Sequence, residues 1–496
     1  MNKRNLISGA ILTSAAIIAS QSAEAKTKGE QPNILFICID DLRTQIGAYG
    51  HENMVTPNLD AIASNGLLFN NQYVQVPTSG ASRAAMLTGV NPKEKIHTTN
   101  HWFTEALIES TETEKPESFV HHLRRNGYYT VGMGKISHSP DGGTDYNDDY
   151  IAELPFSWDK FVVDEDSPWP KGDGLLHSYA NGASRYDGTG YAPAFESLDV
   201  PDESYPDGVV ALQATSTLEE LAKSDKPFFM AVGFFKPHLP FSAPKKYWDM
   251  YKSEDVELSA NRDVPQGVDE VFLHNSGEFA YQYTHPEKAK MGKILSEEYS
   301  RDLRHAYFAA MSYTDAQVGK VMDKLKELGL DKNTVVVVWG DHGWHLGDHT
   351  MWGKHSTFER SLNSTFIVST PDMEQKGAKT DALVATVDIY PTLCELTGIE
   401  APEGIDGTSF VPVLKNPKAK TRTEVLSYWT DALTIRNDRY RLSLYDDGKT
   451  ERIMLFDHLI DPYETINVAE HNPKVVDQLM KKMKKLGNGF LPSLKE

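Results

Sequence analysis

The sequence predicts an α/β protein with a central, mostly parallel sheet that is sandwiched by helices and followed by a small antiparallel sheet. Two observations predict the central sheet: continuous apolar runs flanked by chain-breaking residues, and helical patterns between those runs. A third observation, a change to short alternating segments near the C-terminus, predicts the second sheet. The apolar runs lie at residues 32–40, 128–133, 227–234 and 334–339.

Each apolar run has the composition of a strand that is buried on both faces. The first reads Pro-Asn-Ile-Leu-Phe-Ile-Cys-Ile-Asp, and the last contains four consecutive valines. Strands of this kind occupy parallel sheets, because helices cover both faces of such sheets. Helical patterns follow at residues 58–63, 116–125 and 301–328, and Gly329 stands where the last of these helices is expected to end.

Two long stretches, residues 141–207 and 253–297, are rich in Gly, Asp, Pro, Ser and Tyr and show little periodicity. Long irregular insertions in a compact enzyme build the walls of a site or form mobile loops. We expect these two stretches to shape a binding site, although their sequences do not indicate its ligand.

Residues 419–496 are predicted to form a separate C-terminal subdomain. Short alternating segments at 425–429, 439–445 and 452–457 predict an antiparallel sheet, and residues 473–486 predict one basic helix. The predicted organisation is therefore a leader of residues 1–25, a large domain of residues 26–418 and this subdomain.

The first 25 residues have the pattern of a secretory signal peptide. Lys3 and Arg4 precede an apolar run over residues 6–19, and Ala23-Glu24-Ala25 is a cleavage pattern of small residues. The run is too short to span a membrane, and no later segment approaches about 18 continuous apolar residues. We expect a periplasmic or secreted protein without an integral membrane segment in the mature chain.

Composition excludes some function classes. The chain has 496 residues and a formal net charge of −20, which argues against a nucleic-acid partner, because no basic excess is available to neutralise phosphates. A few clustered cations can still bind a small anionic substrate. The two cysteines, Cys38 and Cys394, are expected to stay free thiols, because Cys38 lies within an apolar strand.

Polar residues follow the apolar runs at the points where the strands are expected to end. Asp40 and Asp41 follow the first run, and Asp341 and His342 follow the last. Because ligands bind beyond the carboxyl ends of parallel strands, two such pairs can enclose one metal ion. Carboxylate oxygens favour Ca²⁺ or Mg²⁺ over softer metals. Either pair alone is better explained as a turn or a helix cap.

Further polar residues belong to the same pattern. The small residues from Ser79 to Ser82 lead into a predicted helix, whose N-terminus favours an oxyanion, and Arg83 lies one helical turn after Ser79. Lysines supply point charges for an oxyanion, and histidines transfer protons near neutral pH. The candidates with these properties are Lys135, His138, His238 and Lys354.

This combination resembles the type I sulfatases, the formylglycine-dependent members of the alkaline-phosphatase-like superfamily. The segment Ser79-Gly-Ala-Ser-Arg-Ala-Ala-Met-Leu-Thr-Gly89 matches the family signature in its serine form, although Val90 replaces an arginine that often follows. Segments at 33–42, 56–60, 388–393, 406–410 and 455–464 resemble other family motifs. Segments at 134–138, 235–240, 340–343 and 352–356 are most similar to the iduronate-2-sulfatase branch.

The resemblance implies an alkaline-phosphatase-like fold and a sulfuric ester hydrolase that binds one calcium ion. It implies that a serine-competent sulfatase-maturating enzyme oxidises Ser79 to formylglycine, whose hydrate attacks the sulfur. The implied roles are nucleophile for residue 79, alignment of that residue for Arg83, proton acceptor for His138, proton donor for His238, sulfate binding for Lys135 and Lys354, and calcium binding for Asp40, Asp41, Ser79, Asp341 and His342.

The implied substrate is a 2-O-sulfated uronic acid in an oligosaccharide from a glycosaminoglycan or a marine polysaccharide such as ulvan. His101 and Trp102 are a candidate wall for the sugar, because tryptophan offers an apolar face, but a packed surface loop explains them equally well. Galactose- or fucose-sulfate polysaccharides of the carrageenan, agar or fucoidan type are the alternative substrates. Two other hypotheses are a metal-dependent phosphatase or phosphodiesterase and a non-catalytic binder of sulfated glycans.

Overall fold

The computed structural model describes residues 31–100, 117–146 and 149–495. Within them the chain forms an eight-stranded central sheet with helices on both faces and a four-stranded sheet near the C-terminus. The strands are β1 (Asn33–Ile39), β2 (Leu67–Tyr73), β3 (Tyr129–Gly134), β4 (Gly143–Tyr146), β5 (Asp149–Ala152), β6 (Lys160–Val162), β7 (Phe195–Leu198), β8 (Phe228–Phe234), β9 (Phe241–Pro244), β10 (Thr334–Gly340), β11 (His345–Leu346), β12 (Trp352–Gly353), β13 (Phe366–Ser369), β14 (Ala378–Ala385), β15 (Val425–Trp429), β16 (Ala432–Arg436), β17 (Tyr440–Asp446) and β18 (Glu451–Asp457).

Helices lie between these strands and form the two outer layers. They are α1 (Pro57–Asn65), α2 (Ser79–Thr88), α3 (Phe119–Arg125), α4 (Asp173–Leu176), α5 (Pro206–Leu221), α6 (Lys245–Trp248), α7 (Gly277–Gln282), α8 (Glu297–Glu327), α9 (Glu359–Leu362), α10 (Ile389–Thr397), α11 (Val411–Lys415) and α12 (Pro473–Leu486).

The central sheet has the strand order β14-β2-β13-β10-β1-β8-β3-β6. Among the described strands of this sheet, β13 alone runs against the others, because it pairs antiparallel with both β10 and β2. The neighbours of β1, which are β10 and β8, run parallel to it. The predicted mostly parallel sheet is therefore confirmed, and the carboxyl ends of four adjacent strands, β10, β1, β8 and β3, meet at one edge.

The burial of β1 explains its unbroken apolar sequence. Side chains of Leu35 and Ile37 pack into the core beneath α5 and α8, and those of Ile34 and Phe36 pack into the core beneath α2 and α10. All four are fully buried, because helices cover both faces of the sheet. A strand in this position needs no polar alternation, which is what the sequence has.

The structure corrects three details of the predicted elements: the start of one helix and the absence of two strands from the prediction. Helix α8 begins at Glu297 rather than residue 301, and Gly329 follows it with φ of 69°, as a residue after a helix C-terminus requires. The first irregular stretch contributes β6, an edge strand of the central sheet that was not predicted. The C-terminal sheet has four strands rather than three, because β16 follows β15 after a two-residue turn.

The C-terminal sheet is an antiparallel meander of β15, β16, β17 and β18, covered by α12. Leu433, Leu442 and Leu455 from the sheet pack against Leu479 and Met483 from the helix. The predicted basic helix at residues 473–486 is confirmed, and the boundary of the subdomain at residue 419 stays a prediction.

None of the helices in the described part of the chain combines the length and hydrophobicity of a membrane-spanning segment. The predicted leader of residues 1–25 lies outside the described residues, so export stays a prediction. Cys38 and Cys394 are both buried free thiols, as expected.

Candidate active site

The candidate residues of four strands converge at the carboxyl edge of the central sheet. Asp40 and Asp41 directly follow β1, and Asp341 directly follows the adjacent parallel strand β10. His238 follows β8 and Lys135 follows β3, the next two strands of the sheet. The strand order therefore brings together residues that are up to 300 positions apart in the sequence.

Helix α2 places Ser79 over this edge as its first residue. Ser79 Oγ lies 3.2 Å from Asp40 Oδ1, 3.1 Å from His342 Nε2 and 3.5 Å from Lys354 Nζ. The side chain is thus buried among the very residues that the sequence grouped with it.

The residue after Ser79 must be small. Gly80 N–H donates to Asn100 Oδ1 at 2.9 Å, and a Cβ at position 80 would lie 2.8 Å from both the Cα and the Oδ1 of Asn100. Real Cβ atoms do not approach that closely, so a larger residue would push Asn100 away from the N-terminus of α2. This contact explains why this chain has glycine at position 80.

Arg83 is fully buried under the site and links three of its segments. Its Nε donates to Asp341 Oδ2 at 3.1 Å, and its Nη2 forms an ion pair with Asp40 Oδ1 at 3.5 Å. Its Nη1 donates to the carbonyl oxygens of Lys135 and Ile136. Because these contacts join the ends of β1, β10 and β3 to α2, Arg83 fixes the position of Ser79 relative to the carboxylates.

Four side chains form a group that is suited to a hard divalent cation. Ligand atoms of Asp40, Asp41, Asp341 and His342 all lie within 4.8 Å of one another, and all four residues are buried. Asp41 Oδ2 is buried without a hydrogen-bond partner among the described residues, although buried carboxylates are normally paired. An oxygen-rich set with one unpaired oxygen fits Ca²⁺ or Mg²⁺ rather than a thiophilic metal.

The backbone also holds this group in place. Asp41 has φ of 58°, a left-handed conformation that is uncommon outside glycine and costs free energy. Its N–H donates to Asp341 Oδ1 at 3.0 Å, and its carbonyl oxygen accepts from Tyr307 Oη at 2.7 Å. These two bonds offset the strained backbone and turn the Asp41 carboxylate towards its neighbours.

The pKa values of the three carboxyl groups reflect their crowding. Burial raises the pKa of Asp41 well above its usual range, and the charges of Asp40 and Asp341 raise it further, against the effect of Lys354. Burial, and then Asp40, raise the pKa of Asp341 to about 6. Lys135, His238 and Arg83 lower the pKa of Asp40 well below its usual range, although burial opposes this. Three adjacent buried carboxylates are stable as anions together only when a cation joins them.

His342 faces the site through Nε2. Its Nδ1 lies 3.1 Å from the carbonyl oxygen of Gly343 and 3.3 Å from Asp41 Oδ1, and both of these atoms can only accept. Nδ1 therefore carries the hydrogen of the neutral ring, and the unprotonated Nε2 points towards Ser79. That tautomer suits either a metal ligand or an acceptor of a hydrogen bond from residue 79.

Two lysines bring positive charge to the same cavity. Lys135 Nζ lies 2.6 Å from Asp40 Oδ2, and Lys354 Nζ lies 3.0 Å from Asp41 Oδ1. Both ammonium groups are buried, and the carboxylates raise the pKa of Lys354 despite its burial. Lys354 is therefore a fixed cation that can bind an anion at residue 79.

Two histidines complete the predicted set. His238 Nε2 lies 3.8 Å from Asp41 Oδ2, while its Nδ1 contacts the carbonyl oxygen of Leu239 at 2.7 Å. Burial and the charge of Lys354 lower the pKa of His238 well below its usual range. Burial and Lys135 lower the pKa of His138 to about 3, and His138 Nδ1 is buried without a partner among the described residues. Both rings are neutral at pH 7 in the protein alone.

Lys236 has a structural position although it belongs to the same motif as His238. Its buried ammonium donates to the carbonyl oxygens of His238 and Pro240, at 3.0 and 2.8 Å. The Asp207 carboxylate accepts from the N–H groups of Phe235 and Lys236. Lys236 and Asp207 thus hold the loop that presents His238.

Sequence reasoning missed three polar residues beside His238. Glu278 Oε1 lies 3.8 Å from His238 Nε2, and Arg185 Nη1 lies 3.1 Å from Glu278 Oε1. The ring centroids of His177 and His238 are 5.2 Å apart. These residues come from the two irregular stretches, where neither periodicity nor a motif marks them. His101 and Trp102, the predicted sugar wall, lie outside the described residues.

The chain is similar to known proteins over most of its length. It matches the Sulfatase family over residues 32–399, and the N-sulphoglucosamine sulphohydrolase, C-terminal family over residues 347–489. It is 30% identical to the iduronate 2-sulfatase of Homo sapiens over 81% of this chain and 75% of that protein. It is 28% identical to an ulvan-active sulfatase of Formosa agariphila over 95% of this chain and 84% of that protein.

A solved structure supports the fold. The phosphonate monoester hydrolase of Agrobacterium radiobacter superposes with a TM-score of 0.71, covering 92% of this chain and 95% of that one. At 22% identity this likeness shows the fold alone. The alkaline-phosphatase-like architecture expected from the sequence is therefore confirmed.

Proposed function

The chain belongs to the sulfatase family and is a sulfuric ester hydrolase, and on this premise we propose that it is exported and removes 2-O-sulfate groups from uronic acid residues. The substrate would be an oligosaccharide from a glycosaminoglycan or from a marine polysaccharide such as ulvan. One observation carries the reaction site: Ser79 Oγ lies within 3.5 Å of a carboxylate, an imidazole and an ammonium group at the carboxyl edge of the sheet.

The charges around Ser79 suit a sulfate ester. Lys354 and Lys135 would hold the sulfate oxygens, since both are buried cations beside residue 79 or its carboxylate neighbour. Buried, preorganised cations stabilise negative charge more strongly than solvated ones, so they favour the transition state in which charge moves to the leaving oxygen. Arg83 would keep residue 79 aligned, because its guanidinium donates hydrogen bonds to the Asp341 carboxylate and to the carbonyl oxygen of Lys135.

Proton transfers would be divided between two histidines. His138, whose pKa is lowered to about 3 by burial, is neutral and would accept a proton from residue 79 when sulfate is expelled. His238 would donate a proton to the sugar oxygen as its bond to sulfur breaks. Its Nε2 lies between the carboxylates of Asp41 and Glu278, which would stabilise the ring after it takes up from solvent the proton that it then donates.

We propose that Ser79 is oxidised to formylglycine by a serine-competent maturating enzyme. The modified residue, when formed, supplies a hydrated aldehyde as the nucleophile, which an unmodified serine without a strong base does not provide. Mass analysis of the peptide that contains residue 79 tests this: loss of two hydrogen atoms relative to serine is expected, and an unshifted mass in protein from the native source would contradict it.

We propose calcium as the metal, held by Asp40, Asp41, Asp341, His342 and residue 79. Bound calcium would stabilise anionic oxygen atoms of the nucleophile and of the sulfate. The carboxylates of the group match its preference for oxygen, and His342 is the least typical ligand. Metal analysis of purified protein is expected to give about one calcium per chain.

The phosphatase hypothesis has one supporting observation, a second group of metal-type ligands formed by His177, His238 and Glu278. Arg185 opposes it, because its guanidinium lies 3.1 Å from Glu278 Oε1 and repels a second cation. Two zinc ions per chain, with phosphate monoester turnover exceeding sulfate ester turnover, would favour that hypothesis over the one proposed here.

The substrate proposal rests on similarity to iduronate 2-sulfatase and to an ulvan-active sulfatase. The test is incubation of matured protein with a panel of oligosaccharides that carry 2-O-sulfated uronic acid, sulfated galactose or sulfated fucose. Sulfate release from the uronate members is expected. Release from carrageenan or fucoidan fragments alone would replace this substrate with the galactose or fucose alternative, and no release from any member would favour a non-catalytic binder.

A further inference from the structure

The two irregular stretches of the chain meet beside His238 and form one wall of the active site. Glu278 Oε1 lies 3.8 Å from His238 Nε2, which in turn lies 3.8 Å from Asp41 Oδ2. The wall is therefore one imidazole away from the carboxylate group that surrounds Ser79. We define this side wall by five residues: His177, Arg185 and Tyr186 from the first stretch, and Glu278 and Tyr283 from the second.

Arg185 is held rigidly within the side wall. Its Nη1 donates to Glu278 Oε1 at 3.1 Å, and its Nη2 donates to Tyr186 Oη at 2.8 Å. Its central carbon lies 4.9 Å from the ring centroid of Tyr186 and 5.0 Å from that of Tyr283. His177 Nδ1 contacts Tyr283 Oη at 2.9 Å, which fixes the second ring. A guanidinium fixed in this way is preorganised for a ligand.

The hydrogen bonds of Arg185 are incomplete. A guanidinium has five N–H groups, and the described residues accept from two of them. The Nε atom is buried without a partner, and the whole side chain is only 9% exposed. A buried N–H without an acceptor is unfavourable, so this arrangement indicates an acceptor that arrives with a ligand.

The side wall is also accessible. The Glu278 side chain is 21% exposed and Tyr186 is 52% exposed, so the wall borders solvent while Arg185 lies behind its edge. An exposed tyrosine beside an arginine–carboxylate pair offers a sugar both an apolar surface and groups for its hydroxyls.

We propose that Arg185 binds the carboxylate of the sulfated uronic acid and so determines the specificity of the enzyme, an inference that rests on the function proposed above. Guanidinium and carboxylate are planar and pair through two hydrogen bonds. In a uronic acid, the C2 oxygen and the C5 carboxylate are attached to ring atoms that stand across the ring from each other. Arg185 stands two side chains, His238 and Glu278, beyond Asp41, on the side of the cavity where we place that carboxylate. Glu278 orients Arg185 and accepts from a sugar hydroxyl.

The experiment compares two matched substrates: a 2-O-sulfated uronic acid disaccharide, and the same disaccharide with its carboxylate reduced to a primary alcohol. Wild-type protein is expected to have the higher kcat/KM on the carboxylate form. In Arg185→Gln the ratio of the two kcat/KM values is expected to fall by about 10- to 100-fold, the worth of a charge-assisted bidentate pair. Arg185→Lys keeps the charge without the planar fork, so we expect an intermediate ratio.

Arg452→Gln is the matched control, because Arg452 forms an exposed ion pair with Asp269 elsewhere on the protein, and its ratio should equal that of wild type. An equal loss on both substrates in Arg185→Gln, or a wild-type ratio near one, would overturn the inference while leaving the proposed function intact. A wild type that hydrolyses an aryl sulfate but neither disaccharide would instead refute the proposed function, and the inference with it. If Arg185→Gln does not fold, the Arg185→Lys ratio decides.

Discussion

Two buried clusters of charged residues in this protein have similar composition but differ in whether all of their carboxylate oxygens have hydrogen-bond partners. The junction cluster contains Glu359, Arg441, His458 and Glu464, and each of its carboxylate oxygens has a partner. Tyr73 Oη lies 2.9 Å from Glu359 Oε1, and Arg441 binds Glu359 Oε2. His458 Nε2 lies 3.0 Å from Glu464 Oε1, and the backbone nitrogen of Glu359 lies 2.7 Å from Glu464 Oε2. In the site cluster, which contains Asp40, Asp41, Asp341 and His342, Asp41 Oδ2 has no hydrogen-bond partner among the described residues.

The pKa values of the two clusters follow from this difference. In the junction cluster, Arg441 and His458 lower the pKa of Glu359 well below its usual range although burial opposes this. In the site cluster, burial and neighbouring carboxylates raise the pKa of Asp41 well above its usual range. Carboxylate oxygens that all have partners mark a cluster that joins parts of the fold, and a buried carboxylate oxygen without one marks a cluster that binds something else.

The largest expected effect is on activity. Ser79→Ala removes the precursor of the nucleophile, so turnover of a sulfate ester should fall by at least about 10⁴-fold. The thermal midpoint of the protein without metal should change little, because a single hydroxyl that lines the cavity is lost. Steady-state assays and a melting curve on the same preparation check both statements. Measurable turnover in the alanine variant would refute residue 79 as the nucleophile.

The junction cluster should respond in the opposite way. Arg441→Met leaves the buried carboxylates of Glu359 and Glu464 without their main cation, so we expect a loss of about 3–5 kcal/mol in the free energy of unfolding. Urea denaturation followed by circular dichroism measures it. The control is Arg452→Met, because Arg452 forms a largely exposed pair with Asp269 and its loss should hardly shift the midpoint. Equal midpoints for both variants would show that the junction contributes no stability.

The sequence predicts the site cluster better than the junction cluster, and the reason is physical. The carboxylates of the site cluster stand directly after apolar strands, and parallel strands end at one edge. Local patterns together with sheet geometry therefore place Asp40, Asp41 and Asp341 near one another. Glu359 and Arg441 are 82 residues apart in the sequence and meet at the contact between two sheets, where no local pattern marks either residue. Arg185 and Glu278 were missed for the same reason, since they lie in stretches without periodicity.

Metal removal should separate the clusters further. A ligand that binds only the folded state at 100 times its Kd stabilises it by about 2.7 kcal/mol, so chelation should lower the thermal midpoint and calcium should restore it. Asp41→Asn removes one of three crowded carboxylates. We expect this variant to be less stable than wild type with calcium and at least as stable without it. A midpoint that is insensitive to chelation in wild type would contradict the proposed metal group.

A third buried group, His274, gives the smallest effect and tests whether an unpaired ionisable group simply stays neutral. Its Nδ1 accepts from the Ser276 N–H at 2.9 Å, its Nε2 is buried without a partner among the described residues, and the rings that face it belong to His345 and His355. Burial lowers the pKa of His274 to about 4 from an ordinary value of 6.5. Below pH 6.5 the unfolded chain therefore binds a proton at His274, whereas the folded chain does not bind that proton until the pH falls to about 4.

Stability should therefore be unaffected by this group above pH 6.5, fall as the pH drops from 6.5 to 4, and change no further below that. The contribution at pH 5 is about 2 kcal/mol. His274→Gln cannot titrate, so the difference between its free energy of unfolding and that of wild type should shift in its favour by this amount between pH 7 and pH 5. Urea denaturation at both pH values measures the shift. A constant difference would mean that His274 is protonated in the folded protein.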